Sequence, residues 1–257
     1  MNDPNSSPLV RFSHLGKRFG EGPLVLEDFS LAAEPGEFVS FIGPSGCGKS
    51  TLLRLLAGLA LPSAGEITVA GASPENARQG TFLVFQDANL LPWRRVGANV
   101  ELPLMLRGDP RNRRRERVRE MLGLVGLADA ADKFPWELSG GMKMRVSIAR
   151  ALSVAPRILL LDEPFGALDE MTRNRLNEDL LAIRQRDPFT AFFVTHSVAE
   201  AVFLSTRVVV LSSNPGRIAR TIDVPFGYPR PADLRESPEF LTLLAETTRA
   251  LRGVLPP

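Results

Sequence analysis

A single cysteine among 257 residues, Cys47, leaves no partner for an internal disulfide and suits a reducing compartment. Excess charge is lacking too. Lys and Arg number 31 against 29 Asp and Glu, so the formal net charge is +2 and no global field draws the chain onto nucleic acid. No apolar run approaches the ~20 residues that span a bilayer, so work at a membrane would depend on a partner. The opening Met1–Pro8 lacks the basic and apolar regions of a secretory signal, and a cytoplasmic location is expected. Against these absences, a hydrophobic content of 44% can bury a substantial core, as one large domain or one domain with an inserted lobe.

The run Gly43-Pro44-Ser45-Gly46-Cys47-Gly48-Lys49-Ser50-Thr51 fits the phosphate-loop pattern G-x-x-x-x-G-K-[ST]. Its surroundings fit as well. Glu37–Ile42 before it alternates in polarity like a strand, and Ser50–Gly58 after it reads as a helix closed by glycine. Glycines let backbone N–H groups turn inward around a phosphate chain with no Cβ in the way, and the helix start adds unpaired donors and a positive dipole end. Lys49 is then expected at the β/γ-phosphates and Ser50 on Mg²⁺. Cys47, close to Lys49 and a helix start, is expected to have a lowered thiol pKa and to alkylate readily until nucleotide covers it.

Along the chain, Leu9–Phe12 and Val25–Leu31 read as strands of a small N-terminal sheet, with Gly20–Pro23 as the turn between them. Glu66–Ala70 and Thr81–Phe85 are further short strands. From about Asn89 to Pro156 the pattern turns helical, which predicts an inserted helical lobe. Strands return at Arg157–Leu161, Thr190–Thr195 and Arg207–Leu211, separated by helices over Met171–Arg186 and Val198–Leu204. That alternation predicts an α/β core with a mainly parallel sheet and helices on both faces. Val224–Pro238 reads as an extended surface segment, followed by a last helix whose Phe240, Leu243, Leu244 and Leu251 either pack on its own domain or face a partner.

Two more stretches carry chemistry. Arg157–Leu161 is apolar enough for a strand buried on both faces and ends in Asp162-Glu163-Pro164, at the sheet edge where open α/β folds place ligands. There Asp162 could hold Mg²⁺ through water and Glu163 could take a proton from an attacking water. Leu138-Ser139-Gly140-Gly141-Met142 is a second glycine-rich turn feeding a helix. It reads either as a second anion site or as a plain serine-capped helix start.

The phosphate loop, Gln86, Leu138–Met142, Asp162-Glu163-Pro164, Ala167-Leu168-Asp169 and His196 occur in the order and rough spacing of an ABC transporter nucleotide-binding subunit, which the chain resembles over nearly its whole length. Phe85–Trp93 and Phe134–Leu138 look like the importer branch serving nitrate, sulfonates and taurine. The resemblance implies the ABC ATPase fold: a P-loop NTPase core over 1–88 and 157–223 that includes an antiparallel β-subdomain, a helical subdomain over 89–156, and a C-terminal extension over 224–257. It implies ATP and Mg²⁺ as ligands, and a homodimer in which each ATP lies between one chain's phosphate loop and its twin's Ser139-Gly140-Gly141 turn. It further implies a separate permease, an extracytoplasmic solute-binding protein, and residence on the cytoplasmic face of a membrane. An ABC-type ATPase of DNA repair or translation is the alternative, disfavoured by the lack of long heptad arms and of a second cassette.

By the same resemblance Phe19 stacks on adenine, with a core phenylalanine as its plain alternative, and Gln86 reaches Mg²⁺ or the attacking water. Asp169 belongs to the loop that crosses to the twin, although it could also be a simple helix cap, and His196 positions water and steadies transition-state charge. His196 also precedes a capping-box pattern, Ser197-x-x-Glu200. Lys143 and Met144 stand where relatives often carry glutamine. His14 belongs to no motif. The arginine run Arg107–Arg119 invites a nucleic-acid reading, but Glu116 and Glu120 interleave with it in the helical lobe, which favours a solvated helix face near anionic lipid.

Overall fold

Two sheets lie side by side in the computed structural model, which describes residues 8–166 and 168–255. Ala167 of the expected Ala167-Leu168-Asp169 motif lies outside the described residues, as do 1–7 and 256–257. The smaller sheet is antiparallel and three-stranded, with β1 (Val10–Arg18) between β2 (Leu24–Ala33) and β4 (Ala64–Val69). Strand β1 runs past the expected end at Phe12 because a bulge interrupts it. The register shifts between Phe12 and Leu15, where His14 takes φ 47°, so the alternation visible in the sequence loses its phase there.

The larger sheet holds β3 (Phe38–Ile42), β5 (Thr81–Val84), β6 (Ile158–Asp162), β7 (Thr190–Val194), β8 (Arg207–Leu211) and β9 (Ile218–Asp223), in the order β5-β6-β7-β3-β8-β9. All neighbours are parallel except β9, which pairs antiparallel with β8. Sequence reasoning missed β9: it is an edge strand whose middle residues are exposed, so it lacks the apolar run that marks the others. Strands β3 and β7 are buried throughout, as expected of strands covered on both faces. Their side chains divide between two cores. Phe192 joins Phe12, Phe29 and Phe41 under the small sheet, whereas Phe193 joins Phe38 and Phe165 on the helical side. Each such buried ring contributes ~1.5–3 kcal/mol, and Phe193→Ala would remove contacts at the centre of the larger core.

Helix α1 (Lys49–Leu56) follows β3. Between β5 and β6 lie α2 (Val96–Leu106), α3 (Arg111–Leu124) and α4 (Gly140–Ser153), and no strand among the described residues. Helices α5 (Glu170–Arg186) and α6 (Val198–Leu204) alternate with β7 and β8. The last helix, α7 (Pro238–Arg252), buries Phe240 and rests Leu243, Leu244 and Leu251 on the domain, as expected. The preceding segment is not wholly extended, since Ala232–Glu236 forms a 3₁₀ turn. The arginine run is mostly exposed, as expected, but Arg114 and Arg117 are partly buried. Arg114 pairs with Glu101 at 2.9 Å, and Arg117 donates to the Leu152 and Ser153 carbonyls at the end of α4.

Parallel register decides where chemistry can happen. Phe41 and Asp162 both pair with Val194, and Ile42 pairs with Val210. The residues that follow β3, β6 and β7 therefore emerge together at one edge of the sheet.

Candidate functional site

Between β3 and α1 the backbone forms a tight loop around the Lys49 side chain. Gly48 takes φ 95°, and a Cβ there would sit 2.6 Å from Leu26 Cδ2, so only glycine fits. Lys49 is buried and donates from Nζ to the carbonyls of Gly43 and Pro44, both at 2.9 Å. Among the described residues no carboxylate pairs with it. An ammonium whose partners are carbonyl dipoles at a helix N-terminus faces a cleft suited to an incoming anion. Cys47, 3.8 Å from that ammonium, departs from expectation: burial pushes its thiol up, outweighing the downward pull of Lys49. The side chain packs inward among Leu26, Leu52 and Leu53, so the thiol is shielded.

Ser50, in the first turn of α1, donates its hydroxyl to Asp162 Oδ1 at 2.8 Å. The next residue, Glu163, takes a left-handed φ of 49°, an uncommon conformation for a non-glycine residue and one that clusters at functional sites. Its N–H donates to the Val194 carbonyl, which holds the turn against β7. Glu163 Oε1 and His196 Nε2 lie 2.7 Å apart. Val25, Ser45, Gly46, Gly48, Lys49, Ser50, Thr51, Glu163 and His196 together line a cleft of about 300 Å³. Ser50 and Asp162 offer paired oxygen donors of the kind hard cations prefer, so the residues present fit Mg²⁺.

Other expected residues sit elsewhere. Phe19 lies in the turn after β1 and is 50% exposed, which excludes a core role; Lys17 Nζ is 4.7 Å from its ring. Gln86 is exposed just beyond β5, near Gly166. Ser139 caps α4 by accepting from Met142 N–H at 3.3 Å, and Asp169 caps α5 by accepting from Thr172 N–H at 3.0 Å. That backbone N–H holds the Asp169 carboxyl below its ordinary range. Gly141 packs on the same turn: a Cβ there would lie 3.1 Å from Thr172 Cγ2, whereas Gly140 faces open space. None of Ser139, Gly140, Gly141 or Asp169 lines the Lys49 cleft. One chain thus presents two separated glycine-rich helix starts.

The ABC transporter family model matches residues 26–166, more than half the chain. The chain belongs to the ABC transporter family. It is 48% identical over 233 residues to the nitrate import ATP-binding protein NrtC of Synechococcus elongatus, covering 89% of this chain but only 35% of that longer protein. It is also 48% identical over 208 residues to the taurine import ATP-binding protein TauB of Pseudomonas entomophila, covering 81% of this chain and 80% of that one. Among solved structures, a dimeric post-hydrolysis state of the ATP-binding cassette MJ0796 bound to ADP and Pi superposes with TM-score 0.75 at 32% identity, covering 85% of this chain and all of that one. The cbiO1 structure from Clostridium perfringens shares the fold, with TM-score 0.79 at 23% identity over 96% of this chain and 98% of that one. The present chain is accordingly an ABC ATPase, whose hydrolysis of ATP drives transport.

Several contacts of this ABC ATPase escaped sequence reasoning. The Ser197 hydroxyl accepts from Glu200 N–H as a capping box requires, but the Glu200 carboxylate turns to the Thr195 hydroxyl instead of back to Ser197. Burial pushes the Glu200 carboxyl up, against the pull of Thr195 and Arg173. Asn99, fully buried on α2, accepts from Leu91 N–H and donates to the carbonyls of Leu91, Arg94 and Arg95. Arg150 on α4 donates to the Ala88 and Asn89 carbonyls. The segment after Gln86 is therefore clamped from two helices. Only a polar residue standing in an otherwise apolar helical face could have flagged Asn99; Arg150 left no such signal, and Glu200 was legible only as the end of the capping-box pattern.

Proposed function

We propose that this chain is the ATP-hydrolysing subunit of an importer that takes up a small nutrient of the nitrate, sulfonate, taurine or bicarbonate kind, the cargo class named for its relatives. The carrying observation is the convergence of Lys49, the Ser50–Asp162 pair and the Glu163–His196 pair on one cleft. Lys49, with the N–H groups of Ser45–Thr51, binds the phosphate chain in the Gly43–Thr51 loop, and Phe19 stacks on adenine. Ser50, Asp162 and Gln86 would hold Mg²⁺, which when bound neutralises charge on the β/γ-phosphate oxygens. Glu163 takes the proton from the attacking water, and His196 orients that water and the γ-phosphate. Glu163 Oε1 lies 2.7 Å from His196 Nε2, so the base and the water-orienting group are within reach of one another.

Ser139, Gly140 and Gly141 complete the site of a second copy, and Asp169 crosses to that copy. Supporting this, the turn sits away from its own chain's cleft, and the related MJ0796 cassette is dimeric. Two donor sets closing on one triphosphate make dimerisation depend on ATP and make its hydrolysis the release step. Residues 1–88 and 157–223 form the nucleotide-binding core, 89–156 the helical subdomain and 224–257 an extension. No helix among the described residues is long and apolar enough to cross a membrane. A separate permease carries the cargo, fed by an extracytoplasmic solute-binding protein, with this subunit on the cytoplasmic face, as the importer relatives suggest.

The test is Glu163→Gln. This variant should bind ATP as the parent does, lose about 10²–10⁴-fold in turnover, and accumulate as an ATP-loaded dimer on size exclusion. Parental turnover would remove Glu163 from the base role, and absence of the dimer would count against shared sites.

A further inference from the structure

Two side chains that the reaction above leaves unused join the end of the Asp169 loop to the turn carrying His196. Arg173, in the first turn of α5, donates from Nη2 to the Leu168 carbonyl at 2.6 Å and from Nε to the Phe165 carbonyl at 3.4 Å. The same Nε lies 3.7 Å from Oε1 of Glu200 on α6. Glu200 is only 4% exposed. Its Oε2 accepts from the Thr195 hydroxyl, which in turn accepts from Ser197 N–H at 3.0 Å, so His196 is the residue held inside this knot. Glu200 Oε1 has no hydrogen bond, and Glu200 and Arg173 line a cavity of about 330 Å³ whose other walls include Glu163, His196 and Gly166.

Packing alone does not call for this arrangement. A carboxylate taken so far from water is normally fully hydrogen-bonded, and an apolar residue would fill the same space at lower cost. The planar guanidinium of Arg173 holds two carbonyls in one fixed fork and sets its charge 3.7 Å from the Glu200 carboxylate. When the Leu168 carbonyl moves, the fork must turn or draw away from Glu200, and the Thr195–Ser197 turn then loses its anchor. We propose that Arg173 and Glu200 are positioning residues that pass the placement of the Leu168–Asp169 backbone to His196, so that a second copy of this chain docked on Asp169 sets when His196 leaves Glu163. The proposal rests on the shared-site reading above.

A double-mutant cycle in steady-state ATP hydrolysis by the full-length chain tests it, using Asp169→Ala, Arg173→Met, Glu200→Gln and the Asp169→Ala/Arg173→Met pair. Each single change should lower kcat about tenfold with the KM for ATP within about twofold, and the pair should lose no more than its worse member. Glu200→Gln keeps the shape and the Thr195 contact, so it should melt no lower than the parent while still being slow, a separation that a purely structural role would not give. Arg173→Lys keeps the charge without the fork and should be slow as well; it replaces Arg173→Met if that variant does not fold. Losses that multiply in the pair, or parental kcat in both Glu200→Gln and Arg173→Lys, would overturn the link. The Glu163→Gln variant separates the two levels. If it forms no ATP-loaded dimer, the shared-site reading and the link both fall; if it dimerises while losses multiply, only the link falls.

Discussion

Arg230 is the residue on which the C-terminal segment is pinned, and replacing it by methionine puts a number on that role. Its guanidinium donates to five carbonyl oxygens, those of Val202, Phe203, Ser205, Phe226 and Gly227, at 2.7–3.3 Å. Val202 and Phe203 belong to the last turn of α6, where helix carbonyls lack partners of their own. Arg230 also lies 4.2 Å from the Tyr228 ring centroid. Methionine keeps most of the apolar stem and removes every donor. The carbonyls of three fully buried residues, Val202, Phe203 and Ser205, would be orphaned at about 1–2 kcal/mol each, with ~1 kcal/mol more from the lost ring contact. Against this, a charge with no carboxylate partner is no longer buried, which returns about 2 kcal/mol. The net loss is about 2–5 kcal/mol, or on the order of 10 °C in Tm for a chain of this size. Urea unfolding followed by far-UV circular dichroism should show a lower midpoint at unchanged slope. Arg230→Lys should recover little, because an ammonium cannot span five acceptors. A loss below about 1 kcal/mol for Arg230→Met would refute the reasoning, since it would mean that water satisfies those carbonyls equally well.

Cys47 should resist iodoacetamide in the folded chain with or without Mg·ATP and react fully in concentrated guanidinium chloride; fast alkylation of the native protein would contradict its burial. Mixing Lys49→Ala with Gly140→Asp subunits should leave one intact composite site in about half of the randomly paired dimers, restoring ATP hydrolysis that neither variant shows alone; a mixture as inert as its components would argue against sites shared between chains. Gly141→Asp should melt well below Gly140→Asp, because its Cβ meets Thr172 while that of residue 140 meets nothing, and equal melting temperatures would contradict that packing. Glu200 binds its proton more tightly when folded, so its contribution to stability is greatest below the ordinary carboxylate range and declines as pH rises through its raised value. The Tm of Glu200→Gln relative to the parent should therefore climb from mildly acid to neutral pH, and a flat difference would deny the upward shift.

Contiguous residues made most of the chemistry legible. Gly43–Thr51 needs only a strand before it and a helix after it, and both could be read from polarity patterns a few residues long. Asp162-Glu163 was legible for the same reason, since a fully apolar run ending in carboxylates identifies a covered strand and its ligand-side edge. Local reading failed where a short-range pattern was interrupted or overruled. The bulge at His14 hid the second half of β1, the exposed face of β9 concealed an edge strand, and the inward packing of Cys47 reversed the pKa shift that its sequence neighbours suggested.

By itself, then, the sequence determined the class of fold, the triphosphate chemistry and the order of the motifs, because each is written in residues adjacent along the chain. Only the tertiary structure decided that Ser50 meets Asp162, that His196 occupies Glu163, that Arg173 reaches Glu200 and that Arg230 closes α6. The members of the Ser50–Asp162 pair stand 112 residues apart and those of the Arg230–Phe203 contact 27 apart. Their meeting depends on parallel strand register and on which helix packs where, quantities that no local pattern of hydrophobicity or turn chemistry encodes.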